Sequence, residues 1–212
     1  MSYVVTNFKK IKSIISNDNI KIIAVSKSIN YNHIEPLVNY GHRHFGENKV
    51  QEAKIKWANA KQQFPEINLH MIGRLQSNKA KEAVKLFHYI HSLDNSKLAI
   101  LLSKFEQSLN LRRKYFIQIN IGNETQKSGI KIEQALDFYN YCTKTLKLNI
   151  VGLMAIPPVD KDKSECFQLL MELNQSLGLT ELSIGMSGDF KEALKYKTTF
   201  VRIGTAIFGK RD

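Results

Sequence analysis

Short apolar runs alternate along the chain with longer segments in which apolar residues return every three or four positions. The runs are residues 21–27, 43–47, 68–73, 89–94, 115–121, 150–156, 182–187 and 200–205, rich in Ile, Val, Leu, Phe and Tyr. Runs of this length and make-up, bounded by polar or glycine-containing stretches, are expected to be strands. Each begins about 20 to 35 residues after the one before, which leaves room for a helix and two loops. Between them, segment 47–62 puts Val50, Ala53, Trp57 and Ala60 on one helical stripe, and 95–109 carries Leu98, Leu101, Leu102 and Phe105 behind an Asn95-Ser96 pair suited to capping. Segments 131–146 (Ala135, Leu136, Phe138, Tyr139) and 163–177 (Cys166, Phe167, Leu170, Leu173, Leu177) read the same way.

Strands alternating with helices mean βαβ units and a parallel sheet. Eight units either close into a (β/α)8 barrel or open into a doubly wound sheet. No GxGxxG follows any of the runs, which favours the barrel. We read residues 1–212 as one such α/β barrel domain.

Composition narrows the classes. Gly 11 and Pro 4 in 212 residues exclude collagen-like and low-complexity chains. Two cysteines without a CxxC pair fit a reduced, cytoplasmic setting. Residues 1–20 alternate apolar and polar positions without a leader-length apolar run, and no stretch is long enough to span a membrane. The net charge of +12 raises the question of an anionic partner. No nucleic-acid motif or aromatic-interleaved basic stretch accompanies it, so nucleic acid is not the expected partner. Lysines such as Lys54, Lys56, Lys61, Lys81 and Lys85 are expected on the solvated faces of outer helices.

In a barrel the site lies at the C-terminal ends of the strands. Lys27 ends the first run behind Ile22–Val25; it either snorkels to water or, desolvated, supplies a neutral amine able to form a Schiff base. Ser187, Gly204 and Thr205 end the seventh and eighth runs, where the following loops form the usual phosphate cradle of this architecture; the glycines otherwise only turn the chain. Arg202, between Val201 and Ile203, alternates toward the interior and needs a ligand or an acidic partner such as Glu47. Asn48 either caps the following helix or bonds a ligand. The histidines at 42, 44, 88 and 91 lack a convincing third ligand, and no metal site is expected.

Seven motifs in order carry a resemblance. They are Ala24-Val25-Ser26-Lys27; Phe45-Gly46-Glu47-Asn48 with Val50-Gln51-Glu52; and His70-Met71-Ile72-Gly73 with Leu75-Gln76-Ser77-Asn78-Lys79. Gln126-Lys127-Ser128-Gly129, Gly152-Leu153-Met154-Ala155-Ile156-Pro157-Pro158, Gly185-Met186-Ser187-Gly188-Asp189 and the run from Val201 to Gly209 complete the set. The chain resembles the YggS/PROSC family of pyridoxal 5′-phosphate (PLP) homeostasis proteins from about Lys21 to Gly209. Lys49, Leu69 and Ile184 depart from the residues common there, away from the named contacts.

The resemblance implies an alanine-racemase-type barrel with PLP on Lys27 as a Schiff base, its phosphate at Ser187, Gly204 and Thr205, its ring nitrogen facing Arg202, and Asn48 near the cofactor. It also implies a monomer that buffers PLP or delivers it to apo-enzymes. An arginine beside the ring nitrogen opposes its protonation and weakens the cofactor as an electron sink. Only three residues follow Gly209, leaving no room here for the β-rich second domain of the racemases. A binding protein without robust turnover is therefore expected. The alternative, a small PLP-dependent racemase, needs a second acid or base opposite Lys27, for which Tyr31 and His70 are the weak candidates.

Overall fold

The computed structural model describes residues 2–122, 124 and 128–209; Gln126 and Lys127 of the fourth motif, and the chain ends, lie outside the described residues. Every one of the eight apolar runs is a strand. In order they are β1 (Lys21–Val25), β2 (His44–Glu47), β3 (Asn68–Met71), β4 (Tyr89–Leu93), β5 (Lys114–Gln118), β6 (Ile150–Met154), β7 (Glu181–Met186) and β8 (Phe200–Ile203). They close into a parallel barrel in chain order, β8 pairing back onto β1 with Ile23 opposite Arg202. Most strands stop short of the apolar run that foretold them. The residues left over, among them 26–27, 72–73 and 204–205, have turned off the sheet to build the rim, where a barrel places its chemistry.

Helices α1 (Tyr3–Ile15), α2 (Tyr31–Asn39), α3 (Val50–Gln63), α4 (Ala80–Leu86), α5 (Ser96–Leu109), α6 (Ala135–Asn140), α7 (Lys163–Ser176), α8 (Phe190–Ala193) and α9 (Thr205–Phe208) lie around it. The Asn95 side chain caps α5, accepting from the Leu98 N–H at 2.9 Å, as its sequence implies. Segment 131–146 is not one helix: a 3₁₀ turn leads into α6, which widens into a π turn over Tyr141–Thr145. There the Thr143 hydroxyl donates back to the Tyr139 carbonyl at 2.8 Å, a competing bond that loosens the α ladder. Helix α1 arises from residues 1–20, whose apparent alternation hides a buried stripe of Val4, Phe8, Ile11 and Ile15.

Period-two alternation along the strands divides the apolar residues between two cores. Ile22, Ala24, Phe45, Leu69 and Val201 face the helix layer. Ile23, Tyr89, Phe116, Met154 and Phe200 pack on one another separately, filling the barrel. Among the described residues no helix is long and apolar enough to cross a membrane.

Candidate functional site

Lys27 follows β1 in a tight turn, half-buried, between the buried Ser26 and the exposed Ser28. Both neighbours are tied to the next βα unit. Lys56 on α3 donates to the Ser26 carbonyl at 2.6 Å, to Glu47 at 3.0 and 3.2 Å and to Glu52 at 2.7 Å. Glu47 at the end of β2 is fully buried, and also accepts the Ser26 hydroxyl at 2.7 Å and the Trp57 indole N–H at 3.0 Å. Glu52 accepts the Ser28 N–H at 2.6 Å, and Ser28 sits at φ +58°, so the chain reverses directly after Lys27. Burial raises the Glu47 carboxyl above its ordinary range while Lys56 pulls it back. Lys56 was expected on a solvated face; its side chain is 8% exposed, because three acceptors converge beneath the turn.

Ser187 is set by the turn after β7. The Asp189 N–H bonds the Met186 carbonyl at 3.0 Å, and the Asp189 carboxylate accepts the Met186 N–H in return at 2.5 Å. Gly185 allows this at φ +91°, where a Cβ would stand 2.7 Å from that of Ala193. The Ser187 hydroxyl then accepts from the N–H groups of Gly204 and Ala206 at 3.2 and 3.4 Å, joining the ends of β7 and β8.

Arg202 is buried on β8. Its Nη1 donates to the Ser183 carbonyl at 2.6 Å and hydroxyl at 2.8 Å, and its Nη2 donates to the Ala155 carbonyl at 3.0 Å. Burial lowers its pKa to about 10, still cationic at neutral pH. Glu47, its candidate partner, is engaged by Lys56 instead. Three bonded N–H groups leave the Nε–H and one Nη2–H uncommitted among the described residues.

Lys27, Asn48, Ser187, Arg202, Gly204 and Thr205 line one cavity of about 270 Å³ with Val25, Ile72, Ile156, Met186 and Gly188. All six residues singled out from the sequence therefore meet. Asn48 caps nothing: the residue before α3 is Lys49, with no side-chain cap bond. Asn48 is shared with a second cavity of about 780 Å³, which carries Lys49, Glu52, Arg74, Lys79 and Asp94. Tyr31 and His70 are not at the cofactor-sized cavity. Tyr31 packs edge-on against Trp57 at 5.9 Å, and His70 is buried in the barrel, stacked on Tyr89 at 4.4 Å. The Lys56–Glu47–Glu52 cluster was missed; its sequence signals were Glu47 ending an apolar run and the i,i+4 spacing of Glu52 and Lys56.

An amine, a fixed guanidinium and a hydroxyl–amide cradle around a small cavity suit an anionic, aromatic aldehyde, and PLP fits that donor set. Fold and pocket define a barrel of the alanine racemase N-terminal class, and the family of that description matches residues 2–212. A curated pyridoxal phosphate homeostasis protein of Synechocystis is 38% identical over 201 residues, 91% of this chain and 92% of the relative. PipY of Synechococcus elongatus, solved with PLP bound, is 31% identical with a TM-score of 0.89, covering 97% of this chain and all of that one. Alanine racemase of Clostridium difficile, at 14% identity and TM-score 0.79, shares the fold over 57% of its own length. The chain belongs to the pyridoxal phosphate homeostasis protein family.

Proposed function

We propose that this chain binds PLP covalently through Lys27, keeps it in the cytoplasm as a monomeric reserve, and releases it to apo-enzymes without robust turnover of its own. The carrying observation is the convergence of Lys27, Arg202 and the Ser187–Gly204–Thr205 cradle on one cavity. Ser187, Gly204 and Thr205 would hold the phosphate, Arg202 would face the ring nitrogen with its uncommitted N–H groups, and Asn48 would stand beside the cofactor. PLP bound in the relative PipY supports the assignment.

Bound PLP supplies an electron sink, and Arg202 weakens it by opposing protonation of the ring nitrogen. Among the described residues lining the cavity, no Tyr, His, Cys, Asp or Glu side chain stands ready as a second acid or base. Both features support holding over turnover. The test is an absorbance spectrum of the purified, PLP-loaded protein before and after borohydride. The expected result is a visible band lost on reduction, with the pyridoxyl mass on Lys27, and no turnover of an amino-acid panel. A pyridoxyl mass elsewhere overturns the site; turnover abolished by Lys27→Ala overturns the carrier reading.

A further inference from the structure

Three histidines that the strand pattern gave no reason to connect lie end to end inside the barrel. His44 Nδ1 is 3.0 Å from His70 Nε2, His70 Nδ1 is 3.0 Å from His91 Nε2, and His91 Nδ1 is 3.0 Å from Ser183 Oγ. Ser183 Oγ also accepts from Arg202. One end of this chain reaches the strand starts, where His44 lines a cavity of about 590 Å³ with Lys21 and His42. The other end is Arg202, which lines the cavity assigned to PLP. Four strands contribute the links, β2, β3, β4 and β7, and each link is a side chain pointing inward.

Proton bookkeeping leaves two arrangements. A neutral imidazole donates from one nitrogen and accepts at the other. The rings are neutral at pH 7: burial pushes His70 and His91 well below the ordinary histidine value, with Arg202 adding its repulsion at His91. Burial, with Lys21 and Lys114 nearby, takes His44 to about 4. If the protons sat on Nδ1, His91 would donate to Ser183 Oγ, and the Ser183 hydroxyl proton would have no acceptor. That leaves a buried donor without a partner. If they sit on Nε2, Ser183 donates to His91 Nδ1, His91 to His70 and His70 to His44, and the last N–H leaves at the lower cavity. Every proton between Ser183 and His44 Nδ1 then has an acceptor. The N–H dipoles also point away from the Arg202 cation, the arrangement its field favours.

We propose that His44, His70 and His91 carry their protons on Nε2 in one hydrogen-bond chain polarised by Arg202, and that Ser183 and His91 are positioning residues for the guanidinium. With its own proton fixed on His91, the Ser183 hydroxyl has a fixed lone pair for Arg202 Nη1 and cannot rotate away from it. The positioning half rests on the PLP reading above; the tautomer half does not.

Two-bond ¹H–¹⁵N correlation of the histidine rings at pH 7, on protein without cofactor, decides the first half. Three rings protonated on Nε2 alone are expected; a ring of the three protonated on Nδ1, or on both nitrogens, overturns the chain. The second half is read with ¹⁵N-ring-labelled PLP. Ser183→Ala is expected to weaken PLP binding about tenfold and to move the ring-nitrogen resonance toward its protonated position, with Ser183→Thr restoring both. Binding within twofold of wild type and an unmoved resonance overturn the positioning role, whatever the melting temperature does. Should Ser183→Ala not fold, His70→Phe cuts the chain one link further out, and a change of about threefold in the same direction is expected; no change overturns the role. If the unaltered protein forms no adduct at Lys27, the PLP reading and the positioning role fall together, while the tautomers still decide the chain.

Discussion

Lys56→Met tests whether the buried charge cluster beneath the Lys27 turn holds it in place. Methionine keeps most of the aliphatic stem and deletes the ammonium, which stands among Glu47, Glu52 and the Ser26 carbonyl. Glu47 is fully buried and Lys56 nearly so, so this is not a screened surface pair. Removing one member of a buried pair costs about 3–5 kcal/mol, because the other charge stays behind unpaired. At about 3 kcal/mol, a chain of this size loses about 6–12 °C in Tm. The deficit should depend on pH. Burial already raises the Glu47 carboxyl, and Lys56 is the largest influence pulling it down, so the variant raises it further. A carboxyl whose folded pKa exceeds its unfolded one binds more protons when folded, so stability falls as pH rises between the two values. The deficit therefore grows as pH rises above the ordinary carboxyl range, which a comparison of pH 5 with pH 8 samples. Urea unfolding at both pH values measures it. PLP affinity should also fall about tenfold, since a freed turn must be re-ordered at about 1–2 kcal/mol per residue. A deficit below about 1 kcal/mol, the range of exposed ion pairs, or one indifferent to pH, would refute the reasoning.

Three further outcomes follow from backbone and burial. Ser28→Gly should raise the urea midpoint by the equivalent of about 0.5–1 kcal/mol, because φ +58° strains a serine; PLP binding should not change, since the N–H that Glu52 accepts remains. Gly185→Ala should cost about 2–4 kcal/mol in thermal unfolding, from positive φ and the contact with Ala193, and should weaken PLP binding through the Ser187 turn. Burial pushes the Cys142 thiol up to about 12, so iodoacetamide at pH 8 should leave it unmodified in the native protein and alkylate it once urea unfolds the chain, as read by mass spectrometry.

The barrel was legible because each strand is a separate apolar run and its inward and outward residues alternate. The cofactor-sized cavity was legible for a related reason: Lys27, Arg202 and the glycine-bearing ends of β7 and β8 interrupt apolar runs, and a closed barrel brings all run ends to one rim. What the sequence concealed depends on pairs far apart in the chain. Lys56 looks like any helix lysine until β2 puts Glu47 under it. His44, His70 and His91 stand one per strand on three successive strands, and only the stagger between those strands makes them touch. Helix α2 has Pro36 in its interior, which weakens its pattern, and α6 fails where a threonine hydroxyl competes for a backbone carbonyl.

The placement of rigidity bears on holding against turnover. The two cationic groups at the cavity come from neighbouring strands, β1 and β8, and each is immobilised from behind: Lys27 through its flanking serines, Arg202 through Ser183 and the Ala155 carbonyl. A fixed guanidinium opposes ring protonation more effectively than a mobile one, because it cannot swing away as the ring acquires charge. A racemase would need that charge spread to be tolerated and a second proton carrier across from Lys27. The lining of this cavity includes the apolar side chains of Val25, Ile72, Ile156 and Met186 instead. Apolar side chains cannot exchange protons with a ring bound beside them, which is what the proposed holding role asks of this cavity.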